Sequence, residues 1–231
     1  MLKVVNLSKA FGDSKILDGA HFAAHAGALT IVEGQNGAGK STLFNIIAGL
    51  MSEDEGEVVL GKLNLAAMPA TKRALHVAIL RQDPKTSTVA SFSVLDNFAL
   101  ALLKGKRTGL KKAASASVKE RVESHLQNLG QDAFCRDLER PMCDFSGGQR
   151  QILAFAMATI HRPQLLLLDE PTAALDDKSS HQLMQLVKQL VNSWQIPAVM
   201  ISHNHALNQQ YGDAIYVLAN RKLTATVEPR G

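Results

Sequence analysis

An α/β fold with a parallel sheet, an antiparallel β subdomain at its N-terminal end and an inserted α-helical subdomain is the class this sequence predicts. Three observations carry it. Short apolar runs such as Ala28–Val32 and Leu165–Leu168 alternate with stretches of helical period, the pattern of a parallel sheet covered on both faces. The opening residues alternate apolar and polar, with Leu2, Val4 and Leu7 on one side, as a half-buried antiparallel strand does. From Ser93 to about Gly130 the period turns helical with no strand between, which reads as a lobe inserted into the sheet domain.

Taken in order, a second strand-like stretch runs from Ile16 to Ala26, and Ala28–Val32 stops at a glycine-rich turn. A helix from Lys40 to Leu50 follows, with Leu43, Ile46 and Ile47 on one face. Glu57–Leu60 and Lys62–Leu65 flank Gly61 as short strands, and His76–Leu80 is another, ending at Arg81-Gln82-Asp83-Pro84. Within the helical middle, Leu95, Phe98, Ala99 and Leu102 share a face, as do Val118, Val122, Leu126 and Leu129. After Pro141 come helix Gln149–Ile160, strand Leu165–Leu168, helix Lys178–Ser193 and strand Ala198–Ser202. The expected division is one domain over 1–231, with 1–87 and 161–231 forming the α/β core with its β subdomain and 88–160 the helical subdomain.

Composition narrows the class. Of 231 residues, 46% are hydrophobic and 20% charged, the balance of a folded domain and not of disorder. No apolar run approaches the roughly 18 residues needed to cross a bilayer. The opening MLKVVNLSKAFGD has no apolar stretch of a leader, so no export signal is expected. Cys135 and Cys143 are the only cysteines and match no zinc spacing; both are expected to be reduced thiols. The eight histidines form no metal-like set. The net charge of +4 decides little. Its one concentration, Lys104, Lys106, Arg107, Lys111 and Lys112, reads either as a solvated loop or as a contact for anionic lipid or a partner.

Chemistry concentrates in three places. Gly34-Gln-Asn36-Gly37-Ala38-Gly39-Lys40-Ser41-Thr42 fits the phosphate loop G-x-x-x-x-G-K-[ST]. Glycines let successive backbone N–H groups turn inward around phosphates, the helix N-terminus adds its positive end, and Lys40 supplies a full charge. The Ser41 hydroxyl is placed to ligand Mg²⁺. Leu165–Leu168 then delivers Asp169 and Glu170 to the end of a buried strand, where α/β sheets bind ligands. Asp169 is the expected Mg²⁺ ligand, and Glu170 the group that orients or deprotonates the attacking water. Finally, Phe145-Ser146-Gly147-Gly148-Gln149 opens a second anion-ready helix N-terminus, without a lysine of its own. Two half-sites in one chain suggest that each completes the other's in a dimer.

The segments GQNGAGKST, FSGGQRQ, LLLLDEPTAALD and ISHN, in this order, closely resemble the ATP-binding-cassette (ABC) ATPases. They look like that family's Walker A, signature, Walker B with D-loop, and switch-histidine motifs, and the resemblance runs from about Leu2 to Leu223. It implies that Phe11 stacks on adenine, where the family usually has tyrosine. It further implies that Gln82 touches Mg²⁺ or water and senses a membrane partner, that His203 contacts the γ-phosphate, and that Asp176 crosses a dimer. Ser146, Gly147 and Gly148, with Gln149, would grip the γ-phosphate bound by the opposite subunit. Phe145, Ala173 and Ser202 stand where the family more often has leucine, serine and threonine; none of these removes a catalytic group, so ATP hydrolysis with Mg²⁺ is expected.

Three readings of such a cassette compete. A transporter ATPase fits one cassette with a short helical insertion. A chromosome-maintenance ATPase needs a long coiled coil between phosphate loop and signature, and no sustained heptad lies there. A soluble assembly-type ATPase stays open. Within transporters, the resemblance is to the ATPases of tryptophan/tyrosine or related amino-acid uptake systems of bacteria. The implied partners are a second copy or a homologous ATPase, transmembrane permease subunits and an extracytoplasmic substrate-binding protein, with no nucleic acid. The implied location is the cytoplasmic face of the inner membrane, held there by the permease.

Overall fold

The computed structural model describes residues 1–105 and 115–227, so of the basic run only Lys104 falls among the described residues. Strand β1 (Leu2–Phe11) pairs antiparallel with β2 (Ser14–Ala24) on one side and with β4 (Glu55–Leu60) on the other. With β5 (Leu63–Asn64) they make a four-stranded sheet in the order β2-β1-β4-β5. The second sheet has six strands: β3 (Leu29–Glu33), β6 (Val77–Leu80), β7 (Leu165–Asp169), β8 (Ala198–Ile201), β9 (Ala214–Ala219) and β10 (Lys222–Val227). Their order is β10-β9-β3-β8-β7-β6, and every neighbouring pair is parallel except β9 with β10. That antiparallel edge departs from the expected all-parallel sheet. Asn220 and Arg221, both at positive φ (49° and 69°), turn the chain tightly enough for the last strand to fold back on β9.

The helices are α1 (Lys40–Ala48), α2 (Ala70–Arg73), α3 (Val94–Leu102), α4 (Ala116–Asn128), α5 (Gly147–Thr159), α6 (Asp177–Trp194) and α7 (His205–Tyr211). Several bounds differ from the sequence expectation for local reasons. Helix α1 stops at Ala48, before Leu50, because Gly49 takes the left-handed C-cap conformation (φ 78°). The helical middle is two helices, α3 ending at Leu102 and α4 starting at Ala116. Helix α5 starts at Gly147, not Gln149, because Ser146 and not Gly148 is its N-cap. Strand β5 keeps only Leu63 and Asn64 of Lys62–Leu65.

The run of leucines in β7 is explained by two cores. Leu166 and Leu168 enter one apolar cluster with Phe98, Leu126, Phe155 and Val187, from the helical lobe and α6. Leu165 and Leu167 enter the other with Phe22, Phe44, Ile46 and Val58, from the antiparallel sheet and α1. All four leucines are fully buried, as a central parallel strand covered on both faces requires. The sheet therefore presents the C-terminal ends of β3, β7 and β8 side by side, and the chemistry-bearing residues follow those ends.

Candidate active site

The turn between β3 and α1 carries Gly34 to Gly39. Gly39 sits at φ 104°, and a β-carbon there would stand 2.8 Å from Ile16 Cγ2, so the loop lies against β2 only because this residue is glycine. Lys40 is almost fully buried, and its Nζ donates to Gly34 O (2.7 Å) and Gln35 O (2.9 Å). Burial pushes its ammonium below the usual lysine range, and the charge of Glu170 partly offsets that. Gln35, Asn36 and Gly37 are exposed along the loop, Ala38 is half-buried, and Ser41 and Thr42 stand in the first turn of α1. No acidic residue occupies that turn, so its backbone N–H groups keep their pull on an anion.

At the end of β7, Asp169 Oδ2 lies 3.4 Å from Arg81 Nη1. Glu170 follows at φ 45°, a left-handed conformation that costs a non-glycine residue roughly 1–2 kcal/mol. Its N–H donates to Ile201 O at 3.0 Å, and Ala173 N–H donates to its carbonyl at 3.1 Å, so the strained turn is held at both ends. Its Oε1 meets His203 Nε2 at 3.0 Å. These two side chains face a cleft of about 390 Å³ shared with Thr172, Ser180, Ser202 and Asn204. Asp169 also borders a second cleft of about 620 Å³ with Gln82, Asp83 and Thr86. Phe11, at the end of β1, is half-exposed with Lys9 Nζ 5.8 Å from its ring centroid, so it is free of the core.

The structure thus gathers Lys40, Asp169, Glu170 and His203 around the sheet's C-terminal ends, with Gln82 beside Asp169. Ser146, Gly147 and Gln149 are exposed at the start of α5. Ser146 Oγ accepts from Gln149 N–H (3.3 Å), and Gln149 Oε1 accepts from Ser146 N–H (3.0 Å), a reciprocal cap. Gly148 is buried against Ser179 of α6. Asp176 caps α6, accepting from Ser179 N–H (2.9 Å) and Ser179 Oγ (2.8 Å); these bonds hold its carboxyl below the usual range. Arg81 was not among the expected site residues, although its place at a strand end next to Gln82 was a usable signal. His205 Nδ1 lies 3.3 Å from Glu33 Oε1, which also accepts from Asn208 Nδ2 at 2.7 Å.

The oxygen donors at hand, the Ser41 hydroxyl, the Asp169 carboxylate and the Gln82 amide, suit a hard divalent cation. Asp169 already pairs with the Arg81 cation, so positive charge is accommodated there. Among the described residues no cluster of three His, Cys, Asp or Glu side chains could hold a metal by itself.

The family model described as ABC transporter matches residues 17–173. The chain belongs to that family. A tyrosine transport ATP-binding protein of Clostridioides difficile is 35% identical to this ABC cassette, over 100% of this chain and 93% of its own length. An aliphatic sulfonates import ATP-binding protein of Xanthomonas axonopodis pv. citri is 34% identical, over 96% of this chain and 69% of its own. The dimeric structure of an ATP-binding cassette in a post-hydrolysis state, bound to ADP and Pi, matches over 100% of both chains with a TM-score of 0.81 at 25% identity. This cassette is therefore an ATPase, the nucleotide-hydrolysing subunit of an ABC transporter. No helix among its described residues is long and apolar enough to cross a membrane.

Proposed function

We propose that this cassette works as a head-to-tail dimer, each ATP held by Lys40 of one subunit and Ser146 of the other. The observation that carries this reading is the exposed, reciprocally capped start of α5 in a chain that also has a complete phosphate loop. The phosphate loop from Gly34 to Thr42 would wrap the phosphates while Phe11 stacks on the base. Ser41, Asp169 and Gln82 would hold Mg²⁺, which when bound neutralises charge on the β- and γ-phosphates. Glu170 would orient the attacking water, and His203, whose Nε2 lies 3.0 Å from Glu170 Oε1, would contact the γ-phosphate. Preorganised charge of this kind stabilises the transferring phosphoryl group without reorganisation during the reaction. Asp176, at the end of the same segment, would reach toward the partner.

The work is delivered to permease subunits. Leu50 (56% exposed), Phe92 (43%) and Leu100 (43%) are large apolar side chains left in solvent. Leu50 and Leu100 line neighbouring clefts that share Ile79 and Ser87, next to Gln82. A permease segment seated there would cover apolar surface and touch Gln82 together. The name of the sulfonate relative supports import, and that of the tyrosine relative supports an amino acid as cargo, which an extracytoplasmic binding protein would deliver. The cassette would then lie on the cytoplasmic face of the membrane.

The dimer is tested with Glu170→Gln, which keeps the shape of the side chain but cannot take a proton. Light scattering during size-exclusion chromatography should show a doubled mass with ATP, but not with ADP or without nucleotide. Adding Ser146→Arg should abolish the ATP dimer while leaving nucleotide binding to the monomer intact. A chain that stays monomeric with saturating ATP at high protein concentration overturns the self-sufficient homodimer.

A further inference from the structure

Gln151 closes the FSGGQRQ segment but was assigned no role above, and it is wholly buried in the second turn of α5. Its Nε2 donates to Arg81 O at 2.9 Å and to Pro171 O at 3.0 Å. These carbonyls lie on two different chain exits from the sheet. Arg81 leaves β6, whose ladder with β7 ends at Leu80 opposite Leu168, and it precedes Gln82. Pro171 follows Glu170, at the turn where the backbone is left-handed. Neither carbonyl lies within a strand, and a buried carbonyl needs a donor. The two hydrogens of one amide nitrogen serve both.

Both neighbours are acceptors, so the amide is fixed in the orientation that presents its nitrogen. Its Oε1 has no partner among the described residues. A methionine or leucine would fill this space without burying an unpaired oxygen, so packing alone does not account for glutamine here. The pair of donors does.

We infer that Gln151 is a positioning residue for hydrolysis, holding the exit that carries Gln82 and the exit that carries Glu170 at a fixed separation from the signature helix. The helix is continuous from its cap at Ser146 through Gln151, so a displacement of Ser146 toward a partner's nucleotide moves both carbonyls with it. The catalytic carboxylate of a subunit is thereby tied to that subunit's own signature segment. This rests on the roles proposed above for Glu170 and Ser146.

Two variants test it. Gln151→Met keeps volume and removes both donors; kcat should fall about 10- to 100-fold, as for a misplaced reacting group, with KM for Mg-ATP and affinity for a fluorescent ATP analogue within about 2-fold. Gln151→Glu keeps the shape and has one O–H to donate only while protonated. Facing two carbonyl oxygens, its charged form is disfavoured but repelled when formed. Its turnover relative to wild type should be highest at acid pH and fall as pH rises. Turnover and affinity lost together, wild-type kcat in folded Gln151→Met, or failure of both variants to fold would each overturn the inference. Glu170→Gln assayed alongside separates the two readings. If it hydrolyses ATP like wild type, the role of Glu170 fails, while the kcat-against-KM split at Gln151 is still read on its own.

Discussion

Gly148 and Ser179 meet so closely that a β-carbon on the glycine would stand 2.4 Å from Ser179 Oγ and 2.7 Å from Ser179 Cβ. The same serine donates through both its N–H and its hydroxyl to Asp176. The glycine of the second phosphate-ready turn is thus also the point where α5 and α6 touch. Gly148→Ala should destabilise the fold by about 1–3 kcal/mol, the range for overpacking a tight contact. Because the serine β-carbon is itself in the way, Ser179→Gly should restore more stability than Ser179→Ala in the double variants. Urea unfolding of the set measures this, and equal stability of Gly148→Ala and wild type would mean the helices separate freely.

Lys40→Ala should reduce hydrolysis by about 10²–10³-fold, the usual loss when one preorganised charge is removed. The residue's Nζ spans Gly34 O and Gln35 O and contributes the only full positive charge on the loop between Gly34 and Thr42. Phosphate release by the purified protein with Mg-ATP is the assay. Turnover at the wild-type level would take Lys40 out of the site.

Arg81 holds Asp169 at 3.4 Å with both side chains about a third exposed or less. Such a partly solvated pair is worth only about 0.2–1 kcal/mol. A cation that needs the same carboxylate must displace the guanidinium. Arg81→Leu should therefore lower the Mg²⁺ concentration for half-maximal hydrolysis by up to about 5-fold, the equivalent of that energy. Titrating Mg²⁺ at fixed ATP reads the shift; a higher requirement would show that Arg81 assists the metal instead.

Burial holds His125 below the ordinary histidine range, and the nearby Arg121 and Arg162 charges act the same way, against the bond to Ala156 O. A histidine depressed in the folded state binds fewer protons folded than unfolded. Its stabilising contribution is complete above the unfolded value, about 6.5, and drains as pH falls toward the folded one. Thermal unfolding between about pH 7.5 and 5.5 should show the midpoint falling with acidification. His125→Gln should flatten that slope while losing some stability at neutral pH. A slope unchanged by the substitution would place the acid sensitivity elsewhere.

Residues that act through local pattern could be read before the fold was seen. The phosphate loop needs only a strand, a spacing of glycines and a lysine, all contiguous. Asp169 and Glu170 announce themselves by ending four consecutive leucines. What sequence could not supply was contact across distance: Arg81 meets Asp169 88 positions away, and Gln151 meets Arg81 70 positions away. Gly148 looked like a pure phosphate-binding glycine because nothing local shows Ser179 behind it. The helix start at Gly147 was misplaced for a subtler reason, since glycine's poor helix propensity is overridden there by the Ser146–Gln149 cap. The last strand escaped because Lys222–Val227 is an edge strand, half-exposed and weakly apolar, although the largely buried apolar run Ala214–Ala219 beside it was legible.

The six-stranded sheet is a partition as well as a scaffold. Phe98, Leu126 and Phe155 lie on one side of it, Phe22, Phe44 and Val58 on the other, and the backbone of β7 stands between them. A void opened in one chamber cannot be filled by side chains relaxing from the other. Truncations placed one on each side should consequently sum in their effect on stability, whereas two in the same chamber should interact. The cassette can thus accumulate change in its helical lobe without disturbing the packing that supports the phosphate loop.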